Sequence, residues 1–294
     1  GLLRARRRHA RSAERHPMNL ALGKILGELN RDYHAADALS HSKLETFRKR
    51  PALYKRKYVD KAIIEERDPN KYRMGIALHA AVEGPSAWAG CVSVNRFFAD
   101  FKTKISQEWR DKTFGMGHVF LSETESDSVG LAVNSLQAHP TAGPLLEGAA
   151  SEVTWRFAHP RIPIPLQCRT DLYKPGHPVD LKTTASLDVG DFINFERSFW
   201  KLGYHRQAAW YKMVLERCGE KVEDFHFIAV ETQEPFGVVV YRVSDDAMRI
   251  GDEENAKDLA DLVECYRTGI WPNKPQEIQE ISVPEWYAKK HEIS

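Results

Sequence analysis

The stretch Cys168-Arg-Thr-Asp171-Leu-Tyr-Lys174-Pro-Gly-His-Pro178-Val-Asp180-Leu181-Lys182-Thr-Thr184 decides how the rest of the chain is read. Residues 165–173 and 179–183 are rich in strand formers, and Lys174-Pro-Gly-His-Pro178 between them is a turn signal. Alternate residues of a strand share a face, so Asp180 and Lys182 point one way and Leu181 the other. A hairpin through the turn brings Asp171 back beside Asp180. Two carboxylates and an ammonium are thus expected to converge at one exposed sheet edge. Phosphodiester hydrolysis uses such a set. Carboxylates hold a hard cation such as Mg²⁺, the cation activates water and stabilises charge on phosphate, and a lysine orients the water or neutralises developing charge. The competing reading is a surface hairpin with an Asp–Lys ion pair, which contributes little to stability.

Three features join this hairpin from outside it. His79 stands on a short helix expected over Met74–Glu83, where it can complete a metal shell or simply pack. Glu152 opens the preceding strand, Ser151–Ala158, and can add a catalytic or metal-binding carboxylate. Gln207 and Tyr211 lie four apart on a helix expected over Leu202–Arg217, hence on one face, and can bond DNA or the lysine, or pack on the sheet. Before these elements, residues 38–60 read as helix, a break at Arg50-Pro51, and helix again. Ser42 and Glu45 have the capping-box spacing. Helices are expected over 95–110 and 128–138, with a long polar connection over 111–127. Strands 225–231 and 237–243 and a helix over 245–266 complete the pattern. Strands lying between helices argue for one mixed α/β domain.

The 294 residues, 42% hydrophobic and 28% charged, suffice for one large core. No run reaches the ~18 apolar residues of a membrane span. Cys91, Cys168, Cys218 and Cys265 are scattered, so neither a zinc ribbon nor a disulfide framework is suggested, and a reducing cytoplasm is expected. Residues 1–17 hold six arginines and one glutamate, a surplus that turns the chain's net +1 into −4 for the remainder. These residues read as a basic extension outside the fold, leaving a single domain over 18–294. A mildly acidic body needs a local patch to hold DNA. Residues 43–57, with seven basic side chains and one acidic, are the candidate; a solvated helix face is the alternative. Lys43, Arg48, Lys49 and Arg50 of this run, with Ser42 just before it, are expected to receive DNA near a terminal phosphate at a helix N-terminus.

Taken in order, Gly75-x-x-x-His79, Arg169-x-Asp171, Asp180-Leu-Lys-Thr-Thr184 and Tyr204-His-x-Gln207-x-x-x-Tyr211 resemble the RecB-type branch of the PD-(D/E)xK nuclease superfamily. Cys168-Arg-Thr-Asp171, Tyr204-His-Arg-Gln-Ala-Ala-Trp-Tyr211 and Ser40-His-Ser-Lys-Leu44 with Arg50-Pro51 behind it resemble its RecE-type (exonuclease VIII) members. Thr170 stands where the superfamily's name would place proline. The resemblance implies a central mixed β-sheet flanked by helices. It also implies a Mg²⁺-dependent exodeoxyribonuclease, with Mn²⁺ as substitute, that degrades linear double-stranded DNA 5′→3′. Metal ligands would be His79, Asp171, Asp180 and the Leu181 backbone carbonyl, with Lys182 catalytic and Gln207 and Tyr211 behind the site. Implied partners are DNA ends, a single-strand annealing protein and further copies in a trimeric or tetrameric ring. A RecB-type endonuclease, a repair-complex module and a silent DNA-end-binding protein are the alternatives.

Overall fold

The computed structural model describes residues 20–63, 69–187, 189–275 and 277–288. Residues 1–17, read above as an extension, lie outside them. The chain runs β1 (Gly23–Ile25), α1 (Asn30–Ala35), α2 (His41–Lys49), α3 (Pro51–Tyr54), α4 (Arg73–Glu83) and α5 (Pro85–Cys91). Then come β2 (Val92–Asn95), α6 (Lys104–Gly115), β3 (Val119–Ser122), α7 (Glu123–Ala138) and α8 (Ala142–Leu146). The third part is β4 (Ala150–Phe157), β5 (Leu166–Lys174), β6 (His177–Thr184), α9 (Val189–Lys201) and α10 (Tyr204–Arg217). It closes with β7 (His226–Glu231), β8 (Val238–Arg242), α11 (Asp245–Thr268) and α12 (Glu285–Ala288).

Six strands form one sheet in the order β1-β4-β5-β6-β7-β8, antiparallel except for the parallel pair β6–β7. Parallel neighbours need a long crossover, and α9 with α10 supplies it. Side chains of β6 sort by parity: Val179 and Leu181 join the core under α4 and α7, with Leu78, Val129 and Leu136. The opposite face packs on α2, α10 and α11 through Leu44, Trp155, Trp210 and Leu262. The expected mixed sheet between helices is present. Among the described residues, no helix is long and apolar enough to cross a membrane.

Three local expectations fail. The capping box does not form at Ser42, because α2 starts at His41 with Ser40 as its N-cap and no side-chain cap. Ser42 Oγ instead meets Ser40 Oγ at 3.0 Å, and Glu45 turns to the Arg206 guanidinium at 2.7 Å. A charged partner outcompetes a free backbone N–H for that carboxylate. The helix over 95–110 is a strand end, a loop and α6. The Asn95 side chain accepts from the Phe97 and Phe98 amides and diverts the backbone, while Thr103 caps the later helix. The polar connection over 111–127 contains the end of α6, β3 and the true capping box, Ser122 with Glu125.

Candidate active site

The turn Lys174-Pro175-Gly176-His177 works as expected, with Gly176 at φ +84°. Yet β5 and β6 pair only at Leu172↔Val179, Tyr173↔Pro178 and Lys174↔His177. The next pair would be Asp171 and Asp180, and there the strands part. The Leu181 N–H donates to Asp171 Oδ2 at 2.7 Å across the gap, satisfying a backbone donor that an unbroken ladder would have used. The site is therefore a fork between two interior strands and not an exposed sheet edge. Asp180 is buried there, because α10 covers that face.

A second break faces the first. In β4, Ser151 pairs with Leu172 and Val153 with Thr170, but Glu152, opposite Asp171, takes φ +51°. A non-glycine residue in the left-handed region costs about 1–3 kcal/mol and clusters at functional sites. Cys168 lies in the α10 core and Leu172 in the α4 core, although four residues apart in one strand. The strand has rolled over at Asp171, and the roll aims the Asp171 and Glu152 carboxylates together.

His79 arrives from above the sheet on α4. Gly75, one helical turn earlier on the same face, lies against β6: a Cβ there would sit 3.3 Å from Thr183 Oγ1. This close approach leaves His79 Nδ1 3.6 Å from Asp171 Oδ1. Potential ligand atoms of His79, Glu152 and Asp171 all lie within 4.8 Å of one another. Burial, and then the neighbouring Asp171, raise the Glu152 carboxyl to about 7. Crowded carboxylates beside an imidazole are the donor set of a divalent cation that prefers oxygen and tolerates nitrogen. These residues fit such an ion.

Asp180 stands outside this trio. It is ion-paired with the Lys182 ammonium and accepts a short hydrogen bond from Gln207 Nε2. Gln207 Nε2 also lies 3.4 Å from the Tyr211 hydroxyl, so the helix motif addresses Asp180 directly. The Lys182 ammonium sits 4.7 Å over the Tyr204 ring. Burial disfavours its charge, but Asp180 and Asp171 outweigh that and hold the lysine above its ordinary value. It is a charged lysine at neutral pH. Leu181 enters the fork through its N–H. Tyr204 and Arg169, which contacts Glu152 at 3.3 Å, were missed as site residues; the Arg169-x-Asp171 spacing was the signal available for the second.

The basic run is less open than its composition suggests. Lys43 donates to the Ala36 and Ala38 carbonyls at 2.9 and 2.7 Å, and burial lowers it to about 8. Arg48 faces Glu254 and Asp258 at 3.8 and 3.7 Å, and Lys49 faces Glu45 at 3.6 Å. Arg50 is exposed at the end of α2.

Residues 40–283 match the family model of the PDDEXK-like domain of unknown function (DUF3799). The chain belongs to this PDDEXK-like family. The chain is also similar to the crystal structure of a "Putative exonuclease" from Eubacterium rectale. That likeness has a TM-score of 0.58 and 14% identity, over 88% of this chain and 97% of the other. At that identity it establishes the fold. None of the curated proteins matches the chain.

Proposed function

We propose that this PDDEXK-like protein is a divalent-metal-dependent exodeoxyribonuclease, RecE-like in its action on linear double-stranded DNA. One observation carries the reading: the β5–β6 fork sets the His79, Glu152 and Asp171 trio beside the Asp180–Lys182 pair. Mg²⁺ or Mn²⁺, when bound, supplies Lewis acidity toward a phosphodiester. His79, Glu152 and Asp171 would hold it, with Asp180 and the Leu181 carbonyl as further ligands once the substrate is in place. Asp180, fixed by Gln207, keeps the Lys182 ammonium at the fork, where it orients water or donates toward a developing negative oxygen. Tyr204 beneath that ammonium limits its swing. The name of the structural neighbour supports the choice of exonuclease, and the RecE-like motifs support 5′→3′ polarity and an annealing-protein partner.

The test is digestion of linear duplex DNA in Mg²⁺, in Mn²⁺ and in excess chelator, by wild type, Asp180→Asn and Lys182→Met. Both substitutions are near-isosteric and open no cavity, although each leaves the charge of its former partner uncompensated and is expected to lower the melting temperature. Each variant is expected to lose about 100-fold or more in rate while melting cooperatively. Full digestion in chelator, or an Asp180→Asn enzyme of wild-type rate, overturns the reading. A protein that binds DNA ends but cuts nothing with any metal is instead an end-binding protein.

A further inference from the structure

We infer that Arg169 is a positioning residue for Glu152, and that the segment from Gly23 to Ala35 is part of the support of the metal site. The inference rests on the reading above that Glu152 is a metal ligand. Arg169 is 6% exposed on β5, two residues before Asp171. Nη1 donates to Glu152 Oε2 at 3.3 Å and to Asn30 Oδ1 at 3.4 Å. Nε donates to Thr154 Oγ1 at 3.1 Å, Nη2 to the Glu28 carbonyl, and the guanidinium lies 4.6 Å over the Tyr33 ring. Every nitrogen of the fork is engaged, so the guanidinium has one orientation.

That orientation matters because Glu152 has left the strand ladder. A glutamate at φ +51° with no backbone partner opposite has no local device to aim its carboxylate. Arg169 holds Oε2 at 3.3 Å, and an oxygen of the same carboxylate lies within 4.8 Å of ligand atoms of Asp171 and His79. Partners that orient a ligand in this way commonly change metal affinity by about 10- to 100-fold when removed.

Three of the groups holding Arg169, namely Glu28, Asn30 and Tyr33, belong to the β1–α1 strap, which lies before the residues matched by the family model. The strap is fastened a second time by Arg156, which is 1% exposed. Arg156 Nη2 reaches the Glu28 carboxylate at 3.1 and 3.2 Å and Gln167 Oε1 at 2.7 Å, and Gln167 Nε2 donates to the Tyr33 carbonyl. Two buried guanidiniums therefore clamp one glutamate. The strap, Arg169 and Glu152 form a continuous chain of contacts into the metal-binding trio.

The experiment is Mn²⁺ binding by titration calorimetry on the full chain, with Arg169→Met, Glu152→Gln, the double variant and Asn30→Ala. Arg169→Met is expected to weaken Mn²⁺ binding by about 10-fold or more. In the Glu152→Gln background the same change is expected to cost less than about threefold, since its effect runs through Glu152. Asn30→Ala, which frees the nitrogen that holds Glu152, is expected to give a smaller loss, and it carries the test if Arg169→Met does not fold. Equal losses in both backgrounds, or wild-type affinity in Arg169→Met or in a folded Asn30→Ala, overturn the inference. Wild type that binds no Mn²⁺ overturns the metal-site reading instead.

Discussion

His41 opens α2 with its Nε2 buried and without a hydrogen-bond partner, 3.8 Å from Glu45 Oε1. Burial lowers its pKa to about 4; Glu45 pulls the other way, while Arg206, Lys182 and His205 add to the depression. The folded protein thus keeps His41 neutral where the unfolded chain, near 6.5, already binds a proton. Stability from this residue is complete above about pH 6.5 and drains away as pH falls toward 4. The loss reaches roughly 2 kcal/mol at pH 5 on ordinary linkage. His41→Gln is therefore expected to melt further above wild type at pH 5 than at pH 7.5, and an identical pH profile for the two would remove His41 as a source of acid lability. The same physics limits what single residues reveal in sequence. The pairing of Asp180 with Lys182 was legible because they lie two apart in a β-rich run and so share a face. That Asp180 is buried was not legible, because α10 comes from 24 residues further along. Nor was the left-handed turn at Glu152, since nothing about glutamate predicts it.

At the scale of elements, α4 shows how packing sets chemistry. Gly75 and His79 share a face, and only a small residue at 75 lets the helix rest on Thr183. Gly75→Ala meets the end of a rotatable hydroxyl side chain and gains helix propensity of up to ~1 kcal/mol, so little net change in melting is expected. Gly75→Val overpacks the contact, with a cost of about 1–3 kcal/mol. It is also expected to raise the Mn²⁺ concentration needed for cleavage, because lifting α4 takes His79 away from Asp171. Melting curves and metal titrations on both variants check this; a valine enzyme with unchanged metal dependence would mean that the helix does not place His79. Periodicity revealed α4, α10 and α11, and β-rich composition bounded by turn signals revealed the five strands β4 to β8, of which β7 is apolar on both faces. It was poor over residues 95–127. There the aromatic residues Phe101, Trp109, Phe114 and Phe120 pack mainly on one another, and the chain is turned by side-chain bonds from Asn95 and Thr103. Short β1 and α1 were also missed, because buried arginines on distant strands hold them.

At the scale of the whole molecule, charge is the constraint. Outside residues 1–17 the chain carries −4, and the basic run of α2 spends Lys43, Arg48 and Lys49 on internal partners. Such a surface attracts duplex DNA weakly at a distance, whereas the proposed exonuclease would have to stay on its strand for many steps. Encirclement by several copies solves this without a high charge, since a closed ring holds its substrate by topology. We therefore expect a trimer or tetramer in light scattering at micromolar concentration. Digestion of linear duplex should be processive and release label from 5′ ends first, and closed circles should be untouched. Reversing Arg48 and Arg50 to glutamate bears on the same point. If α2 contributes a direct phosphate contact, affinity falls and the slope of binding against salt becomes shallower. If the ring alone retains DNA, processivity survives the reversal. A monomer that cuts closed circles would remove both the ring and the end requirement. The hydrolytic fork would then belong to an endonuclease, with Asp180 and Lys182 in the same roles.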